Sequence, residues 1–206
     1  VEIISAECFY GCKSIKSMVF PESVKEIGNK VFRLCEELES VEMIGVVKVG
    51  DNAFDGCRLL ENVVYSEKLK EVGQGAFNSC KLSETLDLSS LTKIGAGAFS
   101  DTSVKKVILN DNLEKLEYGV FQGCTLLEEI NFPSKLVSIG DCCFRMTGIY
   151  KAVFSEGLKK IGALAFDSCE ELYILEFPES IEKIGNYAFE NTLLEIVVIP
   201  ENLKVI

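Results

Sequence analysis

The sequence predicts an α/β solenoid of about nine coils, each 22 or 23 residues long, and three observations support this prediction. Phenylalanine returns at a spacing of 22 or 23 residues along the whole 206-residue chain. Ile, Val or Leu stands five residues before each phenylalanine, and Gly stands four residues before it in seven of the nine copies. A fixed period with apolar residues in phase is typical of stacked structural repeats. The repeating phenylalanines are Phe9, Phe32, Phe54, Phe77, Phe99, Phe121, Phe144, Phe166 and Phe189.

The first predicted element of each coil is a short strand with a Leu-x-x-Ile-x-Phe pattern, as in Leu172, Leu175 and Phe177. The last two apolar positions are two residues apart and are often β-branched or aromatic, which is typical of a half-buried strand. Stacking the coils places these strands about 4.8 Å apart in one parallel sheet. Ser83 is the one polar residue in the leading Leu position.

The rest of the coil is predicted to contain a turn, an extended segment and a helical turn. Pro178 follows the strand and does not weaken its hydrogen bonding, because the N–H that proline lacks lies beyond the last strand hydrogen bond. An extended segment with Ile181 and Ile184 follows. The Gly column, here Gly185, indicates either a close backbone contact or a positive φ. The Ala-Phe pair after it predicts a single α-helical or 3₁₀ turn.

These positions carry a family resemblance. Residues 174–189 read ILEFPESIEKIGNYAF, and residues 19–32 read VFPESVKEIGNKVF. The chain resembles the BspA-like leucine-rich repeat family of bacterial and protist surface proteins, whose pattern is Leu-x-x-Ile-x-Ile-Pro-x-Ser-Val-x-x-Ile-Gly-x-x-Ala-Phe-x-x-Cys. The resemblance covers the whole chain and departs at Ser5 and Glu117 in the Gly column, at Ser83, and in several turns without Pro. It implies a leucine-rich repeat solenoid at the cell surface that adheres to host or matrix proteins or to neighbouring microbes. Leucine-rich solenoids carry their parallel sheet on a concave, ligand-facing side.

Composition sets the broad limits. The formal net charge of −11 repels a polyanion, so we expect no nucleic-acid partner. No apolar run is long enough to insert this segment into a membrane.

Nothing in the sequence marks a domain boundary, so we expect residues 1–206 to form a single leucine-rich repeat domain. Neither end carries the polar capping unit that solenoids need, which predicts a piece of a longer array.

The nine cysteines are predicted to be mostly buried free thiols. Six of them share one repeat column, in which Thr stands in other coils, so the column favours a small packed side chain. Cys8 and Cys143 precede their phenylalanines and have the same interpretation. Disulfides between neighbouring coils remain a less favoured alternative, and a metal site is disfavoured because the chain has no His. Cys142 occupies a position that holds Lys30 and Tyr187 elsewhere, which predicts an exposed, oxidisable thiol.

The sequence does not predict an enzyme. The absence of His removes the commonest general base and every Ser-His or Cys-His pair. The carboxylates recur in phase with the repeat, as on a solvated face. We therefore expect no catalytic residues, no cofactor and no metal.

The candidate binding residues are those that project outward from the predicted sheet near the C-terminal end. Exposed apolar clusters with tyrosines are typical of protein contact surfaces. Strand propensity alone also favours Val, Ile and Tyr on a sheet, and packing against further coils would equally account for the cluster. The predicted protein-binding residues are Tyr150, Val153, Tyr173, Ile174, Ile196 and Val198.

These inferences predict a non-enzymatic cell-surface or secreted protein-recognition module that adheres to host or matrix proteins through the concave sheet. The alternative is a structural spacer or stalk that presents another domain. A cytoplasmic location also stays open, because unpaired cysteines suit a reducing compartment.

Overall fold

The computed structural model describes all 206 residues and shows a solenoid in which every paired strand is parallel. This architecture confirms the predicted parallel-strand solenoid. The chain contains no helical segment with the length and hydrophobicity required to traverse a bilayer. The strands are β1 (Ile3–Ile4), β2 (Ser17–Val19), β3 (Glu26–Ile27), β4 (Ser40–Glu42), β5 (Lys48–Val49), β6 (Asn62–Val64), β7 (Glu71–Val72), β8 (Thr85–Leu88), β9 (Lys93–Ile94), β10 (Lys106–Leu109), β11 (Lys115–Leu116), β12 (Glu129–Ile130), β13 (Ser138–Ile139), β14 (Lys151–Val153), β15 (Lys160–Ile161), β16 (Ile174–Glu176) and β17 (Lys183–Ile184).

The strands stack on two sides of the coil. The even-numbered strands are those predicted from the Leu-x-x-Ile-x-Phe pattern, and they form sheets β2-β4-β6, β8-β10-β12 and β14-β16. The odd-numbered strands come from the second apolar block, predicted only as extended, and they form sheets β1-β3-β5-β7-β9 and β11-β13-β15-β17. The sequence repeat sets the register, since equivalent positions such as Ile4 and Ile27 are paired.

The predicted helical turn is wrong, and with it the α/β class, because the chain contains no helix. The residues two before and two after the core phenylalanine have positive φ, as at Lys30 (55°) and Leu34 (61°) around Phe32. Left-handed residues at this spacing prevent helical i→i−4 hydrogen bonds. The amides of Lys30, Phe32 and Leu34 instead donate to the next coil, at 2.8, 2.7 and 2.8 Å. This turn therefore forms a third ladder between coils.

The structure has about eight turns, not nine. Eight coils contribute a strand to both sides of the solenoid. After β17 the chain forms only an isolated bridge, between Lys183 and Val205. The ninth copy of the sequence pattern therefore does not add a complete turn.

The predicted hydrophobic spine is confirmed. A contiguous core of 52 buried residues runs along the solenoid. The phenylalanines of consecutive coils stack face to face, with ring centroids 5.1 to 5.9 Å apart. Full burial of one phenylalanine contributes about 1.5–3 kcal/mol to folding.

The Gly column is explained by close backbone contact and not by a positive φ. A Cβ added to Gly140 would lie 2.6 Å from the carbonyl carbon of Glu117 and 2.7 Å from the amide of Tyr118 in the preceding coil. None of the glycines four residues before a phenylalanine has a positive φ. Their lack of a side chain lets adjacent coils approach at this corner.

Glu117, which with Ser5 is one of two non-glycine residues in this column, coincides with an interruption of the odd-numbered strands. In other coils, the amide just before the odd-numbered strand donates to a carbonyl of the preceding coil. The Thr92 amide donates to the Lys70 carbonyl at 2.9 Å, and the Val137 amide donates to the Glu114 carbonyl at 2.8 Å. The Glu114 amide makes no such bond to Thr92, and β9 and β11 are not paired. The side chain at residue 117 occupies a corner that holds glycine in every other coil after the first, which accounts for the separation.

Ser83 does not occupy the leading Leu position. Leu82 is buried there instead, with a φ of 40°, and Ser83 is exposed. The buried position is thus reached one residue earlier than the sequence pattern predicts, and the left-handed backbone of Leu82 accommodates this difference. The even-numbered sheet is interrupted at the same place, between β6 and β8.

All nine cysteines are free thiols, and the predicted burial holds for most of the shared column, including Cys57, Cys80 and Cys124. Two predictions are wrong. Cys8, which lies in the first coil of the sequence, is exposed. Cys142 is buried, with 7% of its surface exposed, and its thiol raises the pKa of the neighbouring Tyr118 hydroxyl. Its φ of 55° is shared by Lys30 (55°) and by the exposed Tyr187 (58°), so the backbone does not explain the burial. The short cysteine side chain lies against Tyr118 of the preceding coil.

Candidate functional site

The last two even-numbered strands bring the predicted tyrosines together. β14 and β16 are parallel, with Lys151 opposite Ile174. Tyr150 and Tyr173 directly precede these strands and therefore lie side by side, with ring centroids 6.1 Å apart and ring planes 22° apart. The Tyr173 amide donates to the Tyr150 carbonyl at 3.2 Å, which fixes this arrangement. The two tyrosines are 37% and 56% exposed.

Two more predicted residues belong to the same pair of strands. Val153 is exposed and lies opposite Glu176, and Ile174 is half-buried. Charged residues therefore alternate with the apolar ones across this surface, which is defined as the tyrosine patch: Tyr150, Val153, Tyr173 and Ile174.

The structure does not join Ile196 and Val198 to the tyrosine patch by strand pairing. Residues 194–199 form no strand, although Leu193 just before them donates to the Leu172 carbonyl at 3.0 Å. Ile196 and Val198 are 80% and 76% exposed. They lie one coil beyond β16 in the winding order.

A cleft of about 490 Å³ opens beside the tyrosine patch, where β12 and β14 are not paired. Sequence reasoning missed this cleft, here named the β12–β14 cleft. Its apolar lining includes Ile130, Phe132 and Val153. The segment after Thr147 is one residue short, but the same shortening after Thr102 leaves β8 and β10 paired, so the sequence carried no signal for the cleft. The polar side chains around the apolar lining are Lys106, Glu128, Glu129, Asn131, Tyr150 and Lys151.

The charges at the β12–β14 cleft are partly paired. Lys106 Nζ lies 2.7 Å from Glu129 Oε2, and this hydrogen bond raises the pKa of Lys106, with a smaller contribution from Tyr150. Glu128 and Lys151 form no ion pair, and they belong to the two coils on either side of the interruption. A solvated pair such as Lys106–Glu129 adds little to stability, so its main effect is to orient two side chains at the rim.

The groups in this region are suited to binding. No three His, Cys, Asp or Glu side chains of the chain come close enough to hold a metal ion. The cleft and the patch offer amide, carboxylate, ammonium and phenol groups around apolar surface, which can fix the orientation of a bound molecule.

The sequence matches the BspA type leucine-rich repeat region, in six copies, over residues 1–105 and 92–206. The chain belongs to the BspA-type leucine-rich repeat family. The match spans every coil described above, so the family assignment rests on the whole solenoid. No curated protein matches the chain at a significant level.

Solved structures support the same fold for this BspA-type chain. A leucine-rich repeat protein of T. pallidum is 33% identical over 71% of the chain and 70% of its own length, with a TM-score of 0.68. A Bacteroides ovatus leucine-rich repeat protein is 22% identical over 93% of the chain and 68% of its own, with a TM-score of 0.60. The pneumococcal vaccine antigen PcpA is 23% identical, and the chain spans 56% of its length (TM-score 0.68). At these identities, the last two show the fold alone.

Proposed function

We propose that this BspA-type chain is a protein-recognition module that binds its partner through the even-numbered strands around the tyrosine patch. The stacked, solvent-exposed Tyr150 and Tyr173 carry the proposal. Tyrosine combines a large apolar face with a polar hydroxyl, and it is enriched at the energetic centres of protein interfaces. The regular core holds both rings in fixed positions, so little side-chain freedom is lost on binding.

The proposal includes a cellular location and a class of partner protein. Membership of a family described as surface proteins supports an extracellular or cell-surface location, with adhesion to a host or matrix protein. The even-numbered sheet is the one we expect to be concave and to face that ligand. Ile196 and Val198 extend the apolar surface in the next coil and are included in the proposed contact area.

Immobilised matrix proteins, measured by biolayer interferometry, test this function. We expect Tyr173→Ala and Ile196→Asp each to weaken capture about tenfold or more, as loss of an interface anchor does. Tyr187→Ala is the matched control, because Tyr187 is 67% exposed but lies on the turn side of the coil, two residues before Phe189. Unchanged binding by Tyr173→Ala and by Ile196→Asp would remove the tyrosine patch and its extension in the next coil from the proposal.

The second candidate is a structural spacer. The uninterrupted stack of phenylalanines supports it, since such a spine makes an elongated body that can hold another domain at a distance. A spacer predicts that substitutions in the tyrosine patch are silent, whereas removal of whole coils changes function.

A further inference from the structure

Three main-chain groups at the β12–β14 cleft lack the hydrogen bonds that equivalent groups make where the even-numbered strands are paired. The amides of Glu128 and Glu129 donate to the Lys105 carbonyl at 2.9 and 3.1 Å. One coil later, the Tyr150 amide has no acceptor and the Glu128 carbonyl has no donor. The third group is the Phe132 amide, which makes no hydrogen bond to the next coil.

Behind the cleft, the two coils remain in contact through their core and their turns. The rings of Phe132 and Phe154 pack edge to face with centroids only 4.7 Å apart. On the turn side, the Phe121 amide still donates to Cys143 at 2.9 Å. The three groups have no main-chain partner in the chain, and Glu128, Phe132 and Tyr150 line an open cleft.

Two unpaired charges flank these groups. Glu128 lies on the coil before the interruption and Lys151 on the coil after it, and neither forms an ion pair. Between them the cleft presents Ile130, Phe132 and Val153. The cleft therefore offers unpaired main-chain donors and an acceptor, an apolar floor, and one charge of each sign. These groups are complementary to an extended peptide that carries both apolar and charged side chains.

We propose that the β12–β14 cleft binds a short extended peptide segment of the partner protein. Its main chain pairs with the Tyr150 and Phe132 amides and the Glu128 carbonyl. An apolar side chain packs on Phe132 and Val153, a basic side chain meets Glu128, and an acidic one meets Lys151. This inference rests on the proposed recognition function and specifies the element of the partner that is recognised. Main-chain pairing supplies affinity in this binding mode, and the side-chain contacts supply selectivity.

The test uses the full chain, ¹⁵N-labelled, titrated with capped five-residue peptides and observed by NMR. Each peptide has Val, Ile or Phe at its centre and carries Lys and Glu at its ends, in either order. We expect shifts of the Tyr150, Lys151 and Phe132 amide signals, with one order of charges bound more tightly. Methylation of the peptide amides should weaken binding about tenfold, since it removes the main-chain donors.

A charge exchange identifies the cleft as the site. The double variant Glu128→Lys with Lys151→Glu should reverse the preference for charge order, because each wall then attracts the opposite end. Glu179→Lys with Lys183→Glu is the matched control at unchanged net charge, since both residues are exposed outside the cleft. A preference that survives the cleft exchange, or no shift at these amides with any peptide, overturns the proposal.

The two proposals fail separately. Tyr173 does not line the cleft, so Tyr173→Ala should keep the preference for charge order that Glu128 and Lys151 set, while it weakens capture by a matrix protein. Peptide binding without an effect of Tyr173 on capture would reject the tyrosine patch alone. Loss of capture in Tyr173→Ala without peptide shifts would reject the cleft alone.

Discussion

At the scale of the residue, the exchange of Cys and Thr in one repeat column is explained by a shared acceptor. The Cys124 thiol donates to the Phe99 carbonyl of the preceding coil at 3.1 Å. The Thr102 hydroxyl donates to the same carbonyl at 3.0 Å and lies 3.2 Å from the Cys124 sulfur. The column therefore requires a small, buried hydrogen-bond donor, and both residue types meet that requirement.

Burial of these thiols predicts a loss of stability in alkali. Desolvation raises the pKa of Cys124 from 9.0 to about 11. The folded chain thus holds this proton more tightly than the unfolded chain, so the stabilisation is complete below pH 9 and is lost as the pH rises towards 11. We expect Cys124 to account for about 1.4 kcal/mol of lost unfolding free energy per pH unit within that window. Urea unfolding at pH 7, 9 and 10.5 measures it.

Cys124→Thr provides the control for this prediction. Threonine does not titrate in this range and is accepted at the equivalent position in the coil of Thr102. The variant should be close to the parent in stability at pH 7 and should lose less at pH 10.5. Parallel pH profiles for the two chains would contradict the assignment of the alkaline loss to Cys124.

The cysteines also show how far a single residue can be predicted from the sequence. Column membership predicted the burial of Cys57, Cys80 and Cys124 because repeat phase fixes which side chains point inward. It failed at Cys8 in the first coil, which is exposed, and at Cys142, whose short side chain lies against Tyr118. Column membership does not report the size of the side chain or the identity of its neighbour in the adjacent coil.

At the scale of the element, two neighbouring glycines serve different purposes. Gly95 belongs to the column where coils touch, and a Cβ there would overlap the backbone of Gln74 and Gly73. Gly97 has a φ of 60°, and a Cβ there would meet only the Ser100 hydroxyl at 3.6 Å. Other coils place Asn52 or Leu164 at the position of Gly97, also with positive φ.

The two glycines should therefore respond differently to substitution. We expect Gly95→Ala to cost about 3 kcal/mol or more of unfolding free energy, because backbone atoms of two coils must separate. Gly97→Asn should cost about 1 kcal/mol or less, since asparagine tolerates the left-handed region. Denaturant unfolding compares them, and equal losses would show that conformation, not contact, decides both sites.

The turn around each phenylalanine was the element that the sequence did not reveal. The strands follow directly from the apolar pattern, and their register follows from the repeat. The Ala-Phe pair is also compatible with a helical turn, so the sequence pattern does not distinguish the two conformations. The structure places a left-handed residue two positions before and two positions after the phenylalanine. Asn52 and Gly56 around Phe54 are typical of that conformation. Leu34 and Leu164 are not, and only the hydrogen bonds between coils hold them there.

At the scale of the whole molecule, the solenoid tolerates interruptions because they are staggered. The odd-numbered strands separate between β9 and β11, but β10 remains paired with β12, and the Phe99 amide still donates to Val120 at 3.0 Å. At β12 and β14 the even-numbered strands separate while β13 and β15 stay paired. The tyrosine patch was predictable, since repeat phase makes Tyr150 and Tyr173 neighbours. The β12–β14 cleft was not, because it arises from hydrogen bonds that fail to form.

A whole two-coil unit should therefore be removable. Deleting residues 54–98 joins Ala53 to Phe99 and preserves the phase of the repeat, because Phe54 and Phe99 are equivalent and 45 residues apart. Each coil of a solenoid contacts only its neighbours, so we expect the shortened chain to fold with its core continuous. Its denaturant m-value should fall by about a fifth, in proportion to the 45 of 206 residues removed, since the m-value follows the surface exposed on unfolding.

The same deletion separates recognition from spacing and tests whether residues 1–206 unfold as one domain. The tyrosine patch and the β12–β14 cleft lie C-terminal to the deleted segment, so a recognition module should keep its affinity for matrix proteins. A spacer should lose function with its length while the affinity of any appended domain stays constant. Deleting residues 54–87 is the control, because it removes about one and a half coils and takes Phe99 out of the stack of phenylalanines. If both deletions fold equally well, the stacked phenylalanines do not set the register of this molecule.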